Sequence, residues 1–172
     1  PVTELSEASG AGISVITELS KRNIIRLFDV EKDRSEALLK PSKDARYGEF
    51  SLSEKQNAAY ETLLSLYETK TAKAALMYGV TGSGKTNVML KLIDRVLEDG
   101  KSVIVLVPEI SLTGQTVGRF SARYGEKVAL IHSGLSAGER MDAWKKITED
   151  KAKVVIGTRS AVFAPVKNLG LV

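Results

Sequence analysis

From Ser51 onward, short apolar runs alternate with stretches whose apolar residues return every three or four positions. The runs "AALMY", "SVIVLV", "VALIH" and "KVVIGT" are too short for helices and predict four strands, and the closing "NLGLV" reads as the opening of a fifth. Amphipathic helices lie between them. The first follows "SLSE", where Ser51 three residues before Glu54 predicts a capping box, and Phe50 is placed to staple onto the helix that carries Gln56, Leu63, Leu64 and Tyr67. A second runs from about Thr86 to Asp99 and is stopped by Gly100; a third ends near Gly125. The last opens at Ser136 and Glu139 and places Ala137, Met141, Trp144 and Ile147 on one face, which predicts core packing for Trp144. Strands alternating with helices of this length predict an α/β domain, a parallel sheet covered by helices on both faces.

Residues 1–50 read differently. Ile13, Ile16 and Leu19 are three apart, a short helical pattern, and "IIRLFDVEKD" follows as an extended run. About 40 residues cannot easily bury a core alone. Residues 1–40 therefore read as the tail of a larger domain, and Pro1 in place of an initiator Met supports a chain cut at its start. "KPSKDARYGEFS" has Pro41, Gly48 and charged residues without apolar periodicity, so 41–50 is a linker.

Composition narrows the class. Of 172 residues, 43% are apolar and 27% charged, a globular balance that excludes disordered and collagen-like chains. No apolar run approaches the roughly 18 to 20 residues of a membrane span, and "PVTELSEASG" lacks the features of a signal peptide, so a cytoplasmic protein with no membrane partner is expected. Zero cysteines exclude disulfides and cysteine-held zinc within these residues, and one histidine, His132, excludes a His-rich metal site. Net charge is −1 over residues 1–50 and +5 over 51–172. The basic surplus lies with the second segment and favours a polyanionic partner there.

Candidate chemistry centres on "GVTGSGKT", residues 79–86. Glycines at 79, 82 and 84 let the backbone turn its N–H groups toward phosphate oxygens. Lys85 supplies positive charge to the outer phosphates, and Thr86 offers a hydroxyl to magnesium. The helix that begins there adds its positive dipole end. Hydrolysis also needs an acid at the end of a neighbouring strand. Glu109 of "VIVLVPE" enters the next helix immediately, and Asp94, Asp99, Asp142 and Asp150 lie on helices or at their ends as solvated acids. The chain stops at "NLGLV", where that acid is expected.

Four blocks in order, "LMYGVTGSGKT", "LVPEISLTGQT", "HSGLSAGER" and "VVIGTRSAVFAPVKNLGLV", resemble the first motor lobe of the PriA-type replication-restart DNA helicases of superfamily 2. The resemblance covers residues 51–172 and implies a RecA-like P-loop NTPase lobe, truncated before the family's Asp-Glu-Glu-His element. A second similarity, carried by "ELSKRNIIRLFDVEKDR", likens residues 1–40 to the end of the winged-helix domain that precedes the motor. The family implies ATP and Mg2+ as cofactors, with zinc only in a later region absent here. It implies single-stranded and forked DNA, and primosome and replication-restart proteins, as partners.

Residue by residue, the resemblance places adenine recognition on Gln56 and the phosphates on Gly79, Thr81, Gly82, Ser83, Gly84, Lys85 and Thr86, with Lys85 and Thr86 catalytic and Thr86 on the metal. It places single-stranded DNA on Ser111, Thr113, Gln115 and Arg119, and on Thr158, Arg159 and Ser160. Both blocks follow strand ends, where ligands of parallel sheets bind, and offer the hydroxyls and guanidinium that backbone phosphates require. His132, the last residue of its strand, is expected to be structural. Two positions depart from the family: Asn87 where Glu is common, and Gly114 where Pro is usual. A P-loop small-molecule kinase, or a DNA-binding module with a vestigial nucleotide loop, remains open as an alternative. The isolated chain is expected to bind nucleotide weakly at most and to show no helicase activity.

Overall fold

A computed structural model describes residues 2–28 and 50–172. Most of the expected linker, 41–49, lies outside the described residues, as does the end of the extended run from Asp29. The chain divides into two compact units, Pro1–Lys32 and Asp33–Val172.

In the first unit, α1 (Val2–Ser9) and α2 (Ile13–Lys21) form a hairpin in which Ile16 is the buried residue. The expected three-residue pattern is α2. Gly10 turns the chain between the helices with φ +67°, a conformation that favours glycine, and Ser6 Oγ donates to Ala11 O at 2.7 Å across the turn.

The second unit carries α3 (Glu54–Glu68), α4 (Lys85–Glu98), β1 (Ser102–Leu106), α5 (Gly114–Tyr124), β2 (Val128–Ile131), α6 (Ala137–Thr148), β3 (Val154–Gly157) and β4 (Leu169–Leu171), with short 3-10 turns at Glu109–Ser111, Gly125–Lys127 and Arg159–Phe163. The four strands are parallel in the order β2-β3-β1-β4. β2 and β3 are buried at every position, and all but the last residue of β1 is buried too, as strands covered on both faces must be. Val103, Val105, Val128, Leu130, Val154 and Ile156 meet Leu90, Ile93 and Val96 of α4 and Val117 and Phe120 of α5. Alternate residues Ile104, Ala129, Ile131 and Val155 face the other way, onto Ile147 of α6, Ala161 and Ala164. The parallel sheet with helices on both faces is as the sequence pattern predicts.

Three expectations need correction. The α3 cap is Ser53, not Ser51: Ser53 Oγ accepts from Gln56 N, and Gln56 Oε1 accepts from Ser53 N at 2.9 Å. "SLSEKQ" holds two overlapping capping signals, and the later one wins because Leu52 then packs with Tyr60 and Leu63. Phe50 packs instead against the α4–α5 side of the core, with the Arg123 guanidinium 5.0 Å from its ring centre. "AALMY" is not a strand. It has no ladder partner, and Leu76 and Tyr78 are 92% and 96% exposed, with only Met77 packed toward Tyr60, Val88 and Leu92. Strand propensity alone does not make a strand, and without a ladder this backbone is left to water. Trp144 is the third. It is 43% exposed and Met141 70%, because α6 buries Ala143 and Ile147 one position round the helix.

Candidate nucleotide site

The turn at 79–84 passes directly into α4. Gly82 and Gly84 have φ of +80° and +81°, and Gly84 is the α4 N-cap, with no side chain to satisfy the first-turn N–H groups. A helix head with no side-chain cap and a glycine approach is the arrangement that accepts phosphate oxygens. Gly79 is also tight: a Cβ there would stand 2.9 Å from Ser83 Oγ. Lys85 folds over its own loop, its ammonium donating to Gly79 O at 2.7 Å and Val80 O at 2.8 Å, while Ser83 N donates to Val80 O. The ammonium thus sits beside the turn, and Thr86 is half-buried on the first turn of α4. Thr81 is exposed on the loop.

Gln56 is tied to this loop. Its Nε2 donates to Ser83 O at 2.9 Å and ties the loop to α3, while its Oε1 accepts from Ser53 N and completes the α3 cap. A Cβ on Gly84 would lie 2.3 Å from Gln56 Nε2. Local periodicity carries no sign of this contact, which spans 27 residues.

The loop shares an edge of the sheet with the two flanking blocks. α4 leads through Gly100 into β1 and packs on it, so it runs back along the strand and its head lies toward the carboxyl end of β1. Residues 108–116 follow β1 and residues 158–163 follow β3, its hydrogen-bonded neighbour. Ser111, Thr113 and Gln115 are exposed, and Thr113 Oγ1 caps α5 by accepting from Thr116 N. Arg159 and Ser160 are exposed on the second block, but Thr158 is only 4% exposed, with its N–H on Ile131 O. Its side chain is therefore closed to a surface ligand, a correction to its expected place among the contacts. Arg119 is half-buried on α5, and its Nη2 donates to Asn87 Oδ1. His132 Nδ1 accepts from Gly134 N at 3.1 Å and shapes the turn after β2, a structural use.

For a metal, the loop supplies the Thr86 hydroxyl, and no group of three or more His, Asp or Glu side chains among the described residues could complete a site. Glu109 is exposed and accepts from Ser133 Oγ at 3.3 Å. No helix among the described residues is long and apolar enough to cross a membrane.

A glycine turn at the head of a helix on the carboxyl edge of a parallel α/β sheet defines the class, a P-loop nucleotide-binding lobe. The family model described as "Type III restriction enzyme, res subunit" matches residues 49–170, and the chain belongs to that family. Within it the chain is a homologue of the replication restart protein PriA and a fragment of a superfamily 2 helicase lobe of that type. The Bacillus subtilis (strain 168) PriA is 39% identical over 175 residues, covering 100% of this chain and 21% of that protein. Its counterpart in Synechocystis sp. is 42% identical over 171 residues, 99% of this chain and 20% of the relative. The chain thus spans about a fifth of the length of these curated relatives. Among solved structures, a Sulfolobus solfataricus SWI2/SNF2 ATPase C-terminal domain aligns over 63% of this chain and 50% of its own at 19% identity, with a TM-score of 0.37.

Proposed function

We propose that this chain is the ATP-binding half of a DNA motor that acts in primosome assembly and replication restart in the cytoplasm, and that residues 1–40 close a winged-helix domain. The observation that carries the reading is the common edge: the 108–116 and 158–163 blocks follow the paired strands β1 and β3, and the glycine turn, at the head of α4, lies toward the carboxyl end of β1. A nucleotide held at the turn and a polyanion held at the other two blocks would then share that edge.

ATP with Mg2+ would supply the phosphoryl chemistry when bound. This chain's part is positioning. The amides at the head of α4 hold phosphate oxygens, and Lys85 exchanges its bonds to Gly79 O and Val80 O for them. Thr86 holds the metal. Gln56, which already fixes Ser83, is the group that adenine recruits, since one amide can pair with the adenine amino group and ring nitrogen together. Ser111, Gln115, Arg159 and Ser160 grip the DNA backbone with no reading of bases, and Thr113 orients the first of these groups by capping α5. Single-stranded and forked DNA and the replication-restart proteins are the partners of the whole machine.

The test is binding of a fluorescent ATP analogue and of labelled oligo-dT to the chain. Nucleotide binding that is lost in Lys85→Ala, together with salt-dependent oligo-dT binding, supports the motor reading. DNA binding that is unchanged by Lys85→Ala and by nucleotide points instead to a DNA-binding module, and phosphate transfer to a metabolite to a kinase. Rapid DNA-stimulated ATP turnover by the isolated chain would contradict its assignment as half a motor.

A further inference from the structure

α4 and α5 are joined at two levels. One turn into each helix from the candidate site, Arg119 of α5 donates to Asn87, the third residue of α4. Further along, Asp94 of α4 accepts from Arg123 Nε at 3.0 Å, from Arg123 Nη2 and from Tyr124 OH at 3.0 Å. Leu90, Ile93 and Val96 pack with Val117 and Phe120 in the same cluster. These bonds and contacts fasten the two helices to each other. Their heads carry different chemistry: Lys85 and Thr86 begin α4, while Ser111, Thr113 and Gln115 lie at the start of α5.

We propose that Arg119 is a positioning residue that acts through Asn87 to link nucleotide occupancy at the α4 head to the DNA grip at the α5 head. The inference rests on the proposed function and assigns Arg119 away from direct contact with DNA. Asn87 follows Lys85 and Thr86 within the first helical turn, and its N–H donates to Gly84 O at 2.9 Å, so any resettling of the 82–86 backbone around a phosphate moves its side chain. The Arg119 guanidinium bridges from α5 to that turn, and it is half-buried, where a hydrogen bond from a charged donor resists solvent competition. Thr113 then passes the shift to the exposed groups, because it caps the start of α5 and its hydroxyl fixes the first turn by accepting from Thr116 N. In this bond Asn87 is met through its amide oxygen, Oδ1. The link therefore works without a carboxylate, which explains how this chain accommodates a residue where its resembling family commonly has Glu.

The test measures anisotropy of fluorescein-labelled oligo-dT with and without saturating ADP, in the full chain and in Asn87→Ala, Arg119→Ala, the double variant and Asn87→Glu. In the parent, ADP changes oligo-dT affinity by about fivefold or more, the lower range of site-to-site coupling. Asn87→Ala and Arg119→Ala each bring the ratio to about one, the double variant equals either single, and Asn87→Glu, which keeps an oxygen acceptor, retains it. Nucleotide-free oligo-dT affinity stays within about twofold of the parent in Asn87→Ala. Two results overturn the inference while leaving the proposed function standing. One is a parental ratio in both alanine variants. The other is a loss in Arg119→Ala, without nucleotide and whatever residue occupies 87, with a salt slope lower by about one, the mark of a direct phosphate contact. A parent that binds neither ligand sinks the proposed function, and this inference with it.

Discussion

Asp94→Ala tests whether the α4–α5 junction contributes to the stability of the lobe. The carboxylate accepts three hydrogen bonds, two from Arg123 and one from Tyr124 OH, and the Asp94 and Arg123 side chains are 22% and 24% exposed. Exposed ion pairs contribute about 0.2–1 kcal/mol, whereas breaking a buried one costs about 3–5 kcal/mol. Partial exposure puts this pair between the two, and Tyr124 OH keeps a second acceptor in Leu90 O at 3.3 Å, which trims the loss. The expected cost is about 2 kcal/mol, equivalent to a fall in Tm of roughly 4–8 °C for a chain of this size. Urea unfolding followed by circular dichroism reads it, with the slope m unchanged. Asp94→Asn, which keeps the shape and one acceptor oxygen, loses about half as much. Lys145→Ala is the surface control, since the Lys145–Glu149 pair is an exposed i,i+4 contact at 3.8 Å whose loss leaves the unfolding midpoint close to that of the parent. An Asp94→Ala loss no larger than the control would refute the claim that this junction is partly desolvated and holds the helices together.

Gly84→Ala forces a side chain into φ +81° and against Gln56, so it costs about 1–2 kcal/mol locally and lowers nucleotide affinity at least tenfold, read by fluorescence titration beside a thermal melt. Gly157→Ala puts a Cβ 1.9 Å from Ile131 O and 2.6 Å from Ala161 Cβ; neither is a flexible end, and a loss of about 3 kcal/mol or more, or no soluble protein, is expected in urea titration. Burial, then the Asp94 charge, pushes the Tyr124 phenol up from its ordinary value. The unfolded chain therefore releases that proton first, so this contribution to stability is complete below about pH 10 and is lost as pH rises through the folded value. In alkaline urea titrations Tyr124→Phe shows a shallower fall with pH than the parent.

Elements with local causes were readable in the sequence, and elements set by distant partners were not. β1, β2, β3 and β4 appear where short apolar runs end at turn residues, and Ser136 with Glu139 caps α6 as their spacing implies. Gly82, Gly84 and Lys85 announced the loop because a phosphate turn needs those residue types at that spacing. "AALMY" misled because an apolar run records propensity, while a strand is made by a ladder of hydrogen bonds that these residues do not form. Trp144 misled for a related reason: the large residues at 141 and 144 suggested the inward face, but α6 buries Ala143 and Ile147, and Ile147 packs with Ala129 and Ile131 of β2. The Gln56–Ser83 and Arg119–Asn87 bonds span 27 and 32 residues and leave no periodic trace. Asn87 stood out only as a departure from a motif.

Mapping backbone amide shifts of the isotope-labelled chain during titration with ADP tests the central claim, a phosphate cradle at the head of α4. The account predicts the largest changes at Gly82 through Asn87, smaller ones at Gln56, and their disappearance in Lys85→Ala. Saturating ADP that leaves those amides unmoved, or that shifts residues on the opposite edge of the sheet instead, would contradict it.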